Sequence, residues 1–360
     1  MEVVQAVRRQ AQACAELGSP MYADVLTSLA ADLEAGGSTA EMLAAYEDGP
    51  ADFLLALRLL GSVHRLVLDG SAPDLAPFYP SVGGTWRADA GWRAFEATLR
   101  EHRDAVRARL QQAPQTNDVG RSAGLMGGLL HLVAEHRLPV RLHEIGASGG
   151  LNLLPDRYCY LYGPDGSDSP KSTVAYGPRD SPVRLAGAWA GRRPPGVFVD
   201  VVSRLGCDLA PADVATAAGR LTLTSYVWPD QVERIDRLRA AFRVAWAWPV
   251  EVRRQDAATF VDGLDLVDDT VTVLWHSLLW QYLPEPQQRK VAARIEQIGA
   301  QATDRRVFAH LMFEPQRRSP DAPEPPDSPV EFLVVLRIWP GGERRVLAEA
   351  APHGIPTVWE

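Results

Sequence analysis

The residues best suited to chemistry lie in a glycine-rich segment, RLHEIGASGGLN, which spans Arg141–Asn152. The apolar run before it, Val140–Ile145, predicts a strand, and the glycines predict a tight turn from which a helix can start. Ligands of open parallel sheets bind at the carboxyl ends of the strands, where this turn would lie. The segment is therefore a candidate binding site, and a tight turn without a ligand is the alternative interpretation.

The spacing of the glycines and one acidic residue narrow the choice of ligand. Gly146, Gly149 and Gly150 do not match the dinucleotide fingerprint, and no Gly-Lys-Ser/Thr follows them as in a phosphate-binding loop. The carboxylate of Glu144 would repel a pyrophosphate but can pair with an ammonium group. S-adenosylmethionine carries an ammonium and a sulfonium and has no phosphate. We therefore expect S-adenosylmethionine to contact the residues of this turn, namely Glu144, Gly146, Ala147, Ser148, Gly149 and Asn152.

Two later segments fit the same ligand. Asp208 follows the second apolar run of this part of the chain, where a carboxylate can accept hydrogen bonds from both ribose hydroxyls. Asp256 and Ala257 follow the third run, where a side chain can reach an adenine amino group. Each signal alone is common in turns, but the three occur in the order that one ligand requires.

Together these residues resemble the motifs of a known class of enzymes. Glu144–Asn152, Asp208, Asp256 and the last two apolar runs resemble the successive motifs of class I S-adenosylmethionine-dependent methyltransferases, from about Pro139 to Glu360. The resemblance implies S-adenosylmethionine as the cofactor and methyl transfer to a small-molecule acceptor. Two features depart from the usual pattern: Ala147-Ser148 replaces a usual glycine, and an insertion at about residues 158–195 follows the turn.

The whole chain also resembles a bacterial family catalogued as domain of unknown function 2332, which brings no established activity. Four stretches carry this resemblance: QTNDVGRS from Gln115, EIGASGGLNL from Glu144, VWPDQVER from Val227 and WHSLLWQYLP from Trp275.

His276, Tyr226 and Glu314 are the candidate catalytic residues. His276 ends the fourth apolar run, facing the methyl group that the resemblance places there, and it can be a general base or a hydrogen-bonded wall of the pocket. Glu314 lies just beyond the fifth run. Tyr226 belongs to a set of aromatic residues that can hold a sulfonium by cation–π attraction or simply pack in the core: Tyr226, Trp228, Trp275, Trp280 and Tyr282.

A further group of residues could contact the substrate or close the site. Asn117 and Arg121 enter the helix before the first strand, so this segment can pass over the glycine turn. Arg121 can bind a carboxylate or form an ion pair that fixes two parts of the protein. Trp228 and Trp280 are aromatic candidates, and Asp230 can contact the substrate or only begin a helix.

Hydrophobic periodicity predicts two parts of different architecture. Residues 1–130 repeat apolar residues every three or four positions, which indicates an all-α domain that we expect to cover the site and select the acceptor. Residues 131–360 alternate apolar runs with helices, which predicts α/β architecture with a mostly parallel, Rossmann-like sheet of seven strands. Its last two runs are separated by only five residues and must form an antiparallel hairpin. The seven runs are Val140–Ile145, Val197–Val202, Val250–Arg253, Val271–Leu274, Val307–Phe313, Phe332–Ile338 and Arg345–Glu349.

Composition excludes several classes of function. The net charge of −8 and the lack of a basic, aromatic stripe argue against nucleic acid and anionic membranes as partners. The three cysteines lack CxxC spacing, and no signal peptide or long apolar run is seen, so we expect a cytoplasmic protein without a metal site. A Gly-x-Ser-x-Gly elbow is absent from the sequence. The expected partner is a small-molecule substrate, and a homo-oligomer or a protein partner stays open.

Two hypotheses for function follow. The first is an S-adenosylmethionine-dependent methyltransferase acting on a small molecule. The second is a methyltransferase-like protein that transfers no methyl group and instead binds a ligand or catalyses a cofactor-independent cyclisation or elimination.

Overall fold

A computed structural model describes residues 2–43, 54–162, 173–318 and 330–360 of the chain. The chain forms two compact units. The helical unit comprises Met1–Thr116 and Thr216–Arg239, and the sheet unit comprises Asn117–Ala215 and Ala240–Glu360. The units thus divide at Thr116, not near residue 130, and a later segment joins the helical unit. The proline-rich segment Ser319–Pro329, whose composition predicts a surface loop, lies outside the described residues.

Eleven α-helices occur in the described ranges. In chain order they are α1 (Glu2–Glu16), α2 (Pro20–Glu34), α3 (Ser38–Leu43), α4 (Leu54–Leu68), α5 (Ala88–Glu101), α6 (Arg103–Leu110), α7 (Ser122–His136), α8 (Ala217–Ser225), α9 (Val232–Ala247), α10 (Ala257–Asp262) and α11 (Glu285–Gly299).

The helical unit has its own apolar core, as the three- and four-residue periodicity predicts. Leu26, Leu29, Leu59 and Val63 are fully buried in it. Trp228, from the later segment, packs in the same core, which explains why this segment belongs to the helical unit. Whether the helical unit covers the site and selects the acceptor, as expected from the sequence, stays a prediction.

Eleven strands of the described residues form one mixed sheet. They are β1 (Val140–Ile145), β2 (Cys159–Tyr162), β3 (Thr173–Tyr176), β4 (Arg184–Gly191), β5 (Val201–Asp208), β6 (Glu251–Arg254), β7 (Thr270–Ser277), β8 (Arg306–Gln316), β9 (Glu331–Trp339), β10 (Glu343–Ala350) and β11 (Thr357–Trp359).

Five parallel strands form one part of the sheet, in the order β6-β5-β1-β7-β8. In chain order this is 3-2-1-4-5, so the order reverses at β1, and open α/β sheets bind ligands outside the carboxyl ends at such a switch point. The predicted hairpin is present, because β9 and β10 pair antiparallel. The predicted second run is displaced, since its strand starts at Val201 and extends to Asp208.

The prediction of seven strands is wrong for the far side of the sheet. Beyond β10 the order continues β11-β4-β2-β3. The insertion after the glycine turn supplies β2, β3 and β4, and β11 joins β4 to β10. The hairpin is therefore followed by four more strands. Two of them have only four residues, which is too short for an alternating pattern to stand out.

Helices cover both faces of the sheet. α7 packs closely on one face through glycines: a Cβ at Gly128 would lie 2.7 Å from Leu311, and one at Gly127 would lie 1.9 Å from Trp359. Side chains alternate along a strand, so the neighbours of Leu311 point to the opposite face. There α10 and α11 bury a second core that includes Ile295 and Phe308.

Candidate functional site

The glycine turn joins the carboxyl ends of two neighbouring parallel strands. Gly146, Ser148 and Gly150 have φ values of 70°, 52° and 72°, which glycine adopts without strain and serine rarely does. The Ala147 N–H donates to the Cys207 carbonyl at 2.9 Å, and the Ser148 N–H donates to Asp208 Oδ2 at 3.0 Å. The end of β1 is thereby fixed to the end of β5.

The α-helix predicted after this turn does not form. Two three-residue 3₁₀ turns follow instead, Leu151–Leu153 and Pro155–Arg157, and the chain then enters β2. Pro155 lacks the N–H that an α-helix requires and disfavours helical geometry at Leu154, which has φ −112° and ψ 36°. Pro155 is the residue in the sequence that could have indicated that no α-helix follows the turn.

Glu144, at the end of β1, is 2% exposed. Its Oε2 has no hydrogen-bond partner among the described residues. Burial raises the pKa of the Glu144 carboxyl well above its usual range, and the nearby charge of Asp208 adds to this, while Trp275 and Arg121 act in the opposite direction. A buried carboxyl with an unused oxygen at the switch point can accept a charged donor from a ligand.

Asp208 and Asp256 differ in what they already bind. Asp208 Oδ1 accepts from the Ala210 N–H at 2.8 Å, and its Oδ2 accepts from the Ser148 N–H. Both oxygens of Asp208 thus take part in the turn, and the contact predicted between Asp208 and the ribose hydroxyls stays a prediction. Asp256 instead caps α10, accepting from Thr259 N at 3.0 Å and Thr259 Oγ1 at 2.6 Å. Ala257 is the first residue of α10, and the contact predicted between Asp256–Ala257 and adenine stays a prediction.

The segment that enters α7 lies beside the glycine turn. The Leu151 N–H donates to Asn117 Oδ1 at 2.9 Å, and Ser122 Oγ donates to Asn152 Oδ1 at 2.7 Å. The charge of Arg121 acts on Glu144. Asn117, Arg121 and Asn152, predicted separately, thus lie around one turn, whose Gly149 is buried.

A second group of functional side chains lies at the carboxyl ends of β7 and β8. His276 Nδ1 donates to Glu314 Oε1 at 2.6 Å, and His276 Nε2 lies 2.9 Å from His310 Nε2. Glu314 Oε1 also accepts from the N–H groups of Leu279 at 2.9 Å and Trp280 at 3.3 Å. The His276 ring stacks on Trp280, with centroids 5.5 Å apart. His276 and Glu314, predicted as catalytic candidates, therefore form one buried network with Trp280.

His310 is the member of this network that the sequence did not assign to the site. It lies inside β8, four residues before Glu314, and the two-residue alternation of a strand places both on one face. Burial lowers the pKa of His310 well below its usual range, and His276 and Arg337 contribute to the shift. Its imidazole is therefore neutral near pH 7.

This network borders a cavity of about 520 Å³. Its wall on the sheet side comes from alternate residues of β8, and α11 supplies the other wall. The main lining residues are His276, Trp280, Ile295, His310, Met312, Glu314 and Gln316.

Leu279 connects the two groups. A Cβ at Gly146 would lie 2.7 Å from Leu279 Cδ1, and the Leu279 N–H donates to Glu314. The glycine turn and the histidine network therefore share one residue of the loop after β7.

Three predicted site residues belong to the helical unit, where each has a structural partner. Tyr226 follows α8, and its ring is 2.6 Å from the position of a Cβ at Gly61. The rings of Trp228 and Tyr22 are 6.4 Å apart. Asp230 accepts from Ser19 Oγ at 2.6 Å and Met21 N at 3.0 Å, at the start of α2. Contact of these three residues with a substrate stays a prediction.

Neither a metal-ligand cluster nor a membrane-spanning helix occurs in the described part of the chain. It contains no group of three or more His, Cys, Asp or Glu residues placed to hold a metal ion. None of its helices is both long enough and apolar enough to cross a membrane. The three cysteines are buried and free.

Comparison with known proteins gave one match. No curated protein and no solved structure matches the chain. A family profile matches residues 4–359, almost the whole sequence. The chain therefore belongs to the family described as "Uncharacterized protein conserved in bacteria (DUF2332)".

Proposed function

We propose that the sheet unit binds S-adenosylmethionine at the glycine turn and transfers its methyl group to a small-molecule acceptor. One observation carries the proposal: Glu144 is buried at the switch point of the parallel strands, and its Oε2 has no partner among the described residues. A buried polar atom without a partner costs about 1–3 kcal/mol. A ligand ammonium would remove this cost and explain why a carboxyl occupies the position.

The neighbouring groups suit the rest of the ligand. Asp208 lies at the end of the adjacent strand, next to the glycine turn, where a carboxylate can accept hydrogen bonds from ribose hydroxyls. The turn between Glu144 and Asp208 carries no cationic side chain that would recognise a phosphate. The chemistry that the cofactor supplies when bound is an electrophilic methyl group on a sulfonium. Resemblance to class I methyltransferases supports the same assignment.

His276 would help to position the acceptor. Glu314 fixes one ring nitrogen of His276, and the other nitrogen lies at hydrogen-bond distance from His310. An imidazole held in this way keeps one orientation and one tautomer. Because both nitrogens already have partners, we propose that the His276 ring orients the acceptor and does not take its proton.

Calorimetric titration with S-adenosylmethionine and S-adenosylhomocysteine tests the proposal. We expect both to bind the wild-type protein, and we expect Glu144→Gln to weaken binding at least tenfold, since it removes the charge that pairs with the ammonium. Glu101→Gln, at an exposed position, is the matched control. Equal affinity of the two variants would remove Glu144 from the site.

A second candidate function has its own observation. The turn runs into 3₁₀ turns without an α-helix, whereas His276, His310 and Glu314 form a paired acid–base group beside a cavity. This favours a ligand-binding protein or a cofactor-independent cyclisation or elimination. If neither S-adenosylmethionine nor S-adenosylhomocysteine binds at millimolar concentration, the result supports this candidate over methyl transfer.

A further inference from the structure

Two polar side chains of β8 line the cavity with hydrogen-bonding atoms that are not used. They are Glu314 and Gln316, two residues apart on the strand and therefore on one face. Neither lies in the glycine turn, so what they bind does not depend on S-adenosylmethionine.

The hydrogen bonds of Glu314 are distributed unevenly. Its Oε1 accepts from three donors, His276 Nδ1, Leu279 N and Trp280 N. Its Oε2 accepts from none of the described residues, although the side chain is only 4% exposed. A carboxylate oxygen in this situation is an acceptor for a donor on a ligand, and bonds to a carboxylate are short and strong.

Gln316 offers the complementary group. Its Oε1 accepts from Arg344 Nη2 at 3.1 Å, which fixes the orientation of the amide. Its Nε2 is buried and has no acceptor within the described ranges. The amide therefore presents a donor, and the Cα atoms of residues 314 and 316 are roughly 7 Å apart along the strand.

Much of the remaining wall is apolar, and two of its charged residues, Arg337 and Glu296, form an ion pair with each other. Trp280, Ile295 and Met312 line the cavity, and the Trp280 ring is held by stacking on His276. Such walls favour an aromatic ring over a flexible polar chain.

We propose that this cavity binds an uncharged para-substituted phenol, with the hydroxyl donating to Glu314 Oε2 and a carbonyl on the opposite side of the ring accepting from Gln316 Nε2. The two polar groups of such a molecule lie at opposite ends of the ring, so one molecule can contact both side chains. Its hydroxyl lies beside His276, so the same molecule is a suitable methyl acceptor if the cofactor binds.

Titration calorimetry with 4-hydroxyacetophenone tests the proposal on the full chain. We expect saturable binding, and we expect at least tenfold weaker binding of both 4-methoxyacetophenone, which lacks the donor, and 4-ethylphenol, which lacks the acceptor. Equal affinity of the three compounds, or no binding of 4-hydroxyacetophenone at millimolar concentration, would overturn the proposal.

Two variants locate the binding. Gln316→Glu keeps an acceptor for Arg344 but replaces the N–H donors of the amide with an oxygen. We expect this variant to bind 4-hydroxyacetophenone at least tenfold more weakly. Gln297→Glu makes the same change at an exposed position of α11 and should leave the affinity unchanged. If both variants bind like wild type, the ligand lies elsewhere. Binding of the phenol without binding of S-adenosylmethionine would reject the proposed methyl transfer and keep this site.

Discussion

Two buried glutamates at the carboxyl ends of parallel strands differ in how their charge is satisfied. Glu314, at the end of β8, accepts three hydrogen bonds on Oε1, although its Oε2 has no partner among the described residues. Glu144, at the end of β1, also has an oxygen without a partner among the described residues, and its pKa is raised by burial. The carboxylate of Glu314 is thus stabilised through one of its oxygens, whereas burial makes the charged form of Glu144 costly.

Both residues have an oxygen that a ligand can use, but they affect the fold differently. Three hydrogen bonds to Glu314 Oε1 rigidify the loop after β7 and His276, whereas the buried carboxyl of Glu144 requires a functional reason. Substitution of the two residues should therefore change stability in opposite directions.

The largest expected effect is at Glu314. Glu314→Leu leaves His276 Nδ1 and two backbone N–H groups without an acceptor inside the protein, so we expect a loss of about 3–5 kcal/mol of unfolding free energy. Urea unfolding measures it. Glu314→Gln retains an acceptor oxygen and should lose less than half as much, and a loss below about 1 kcal/mol for the leucine variant would contradict the network.

The second-largest effect is expected for substitution of Asp208. Asp208→Ala removes a charged acceptor from the proposed ribose site, and we expect S-adenosylmethionine binding to weaken by more than tenfold, equivalent to about 1.5–3 kcal/mol. Calorimetry at one temperature measures the affinity, and circular dichroism confirms that the variant is folded. An unchanged affinity would exclude Asp208 from the site.

Glu144→Gln should stabilise the protein without ligand by about 1–2 kcal/mol near pH 8, because the variant has no buried charge to form. The pKa of Glu144 is raised in the folded state, so the wild-type protein loses stability as the pH rises above the usual range of a carboxyl. The difference between variant and wild type should thus grow from pH 5 to pH 8, as thermal unfolding at each pH would show. The same measurement on Glu101→Gln should give a difference near zero, and a flat profile for Glu144→Gln would contradict the pKa shift.

The smallest expected effect concerns the contact between the glycine turn and the loop after β7. Gly146→Ala places a Cβ against Leu279 at a residue with positive φ, so we expect it to destabilise the protein. Leu279→Ala should remove the steric part, which gives a coupling energy on the order of 1 kcal/mol in a double-mutant cycle. Additive effects would show that the glycine turn and the loop after β7 respond independently.

Features governed by local sequence were predictable. The apolar run Val140–Ile145 is β1 residue for residue, and the following glycines form the turn. Asp208, predicted beyond the second apolar run, is the last residue of β5. Asp256 was predicted to contact adenine, and its position as the N-cap of α10 was not predicted, although Asp is a preferred N-cap residue.

Features governed by distant partners were not predictable. β4 pairs with β11, more than 160 residues later in the chain, and no local pattern specifies such a partner. The same holds for His310, whose contact with His276 depends on the register in which Leu274 faces His310 across β7 and β8. Burial of Glu144 likewise depends on residues that the chain brings together only after folding.

The pairing of β11 has a consequence for synthesis of the chain. Among the described strands, β2, β3 and β4 pair with the rest of the sheet through β11. During translation these residues leave the ribosome long before residues 357–359, and until then the exposed edge of β4 has no neighbour to pair with. Unpaired strand edges promote aggregation of incomplete chains. A nascent chain of this protein is therefore expected to need a chaperone until its last strand emerges.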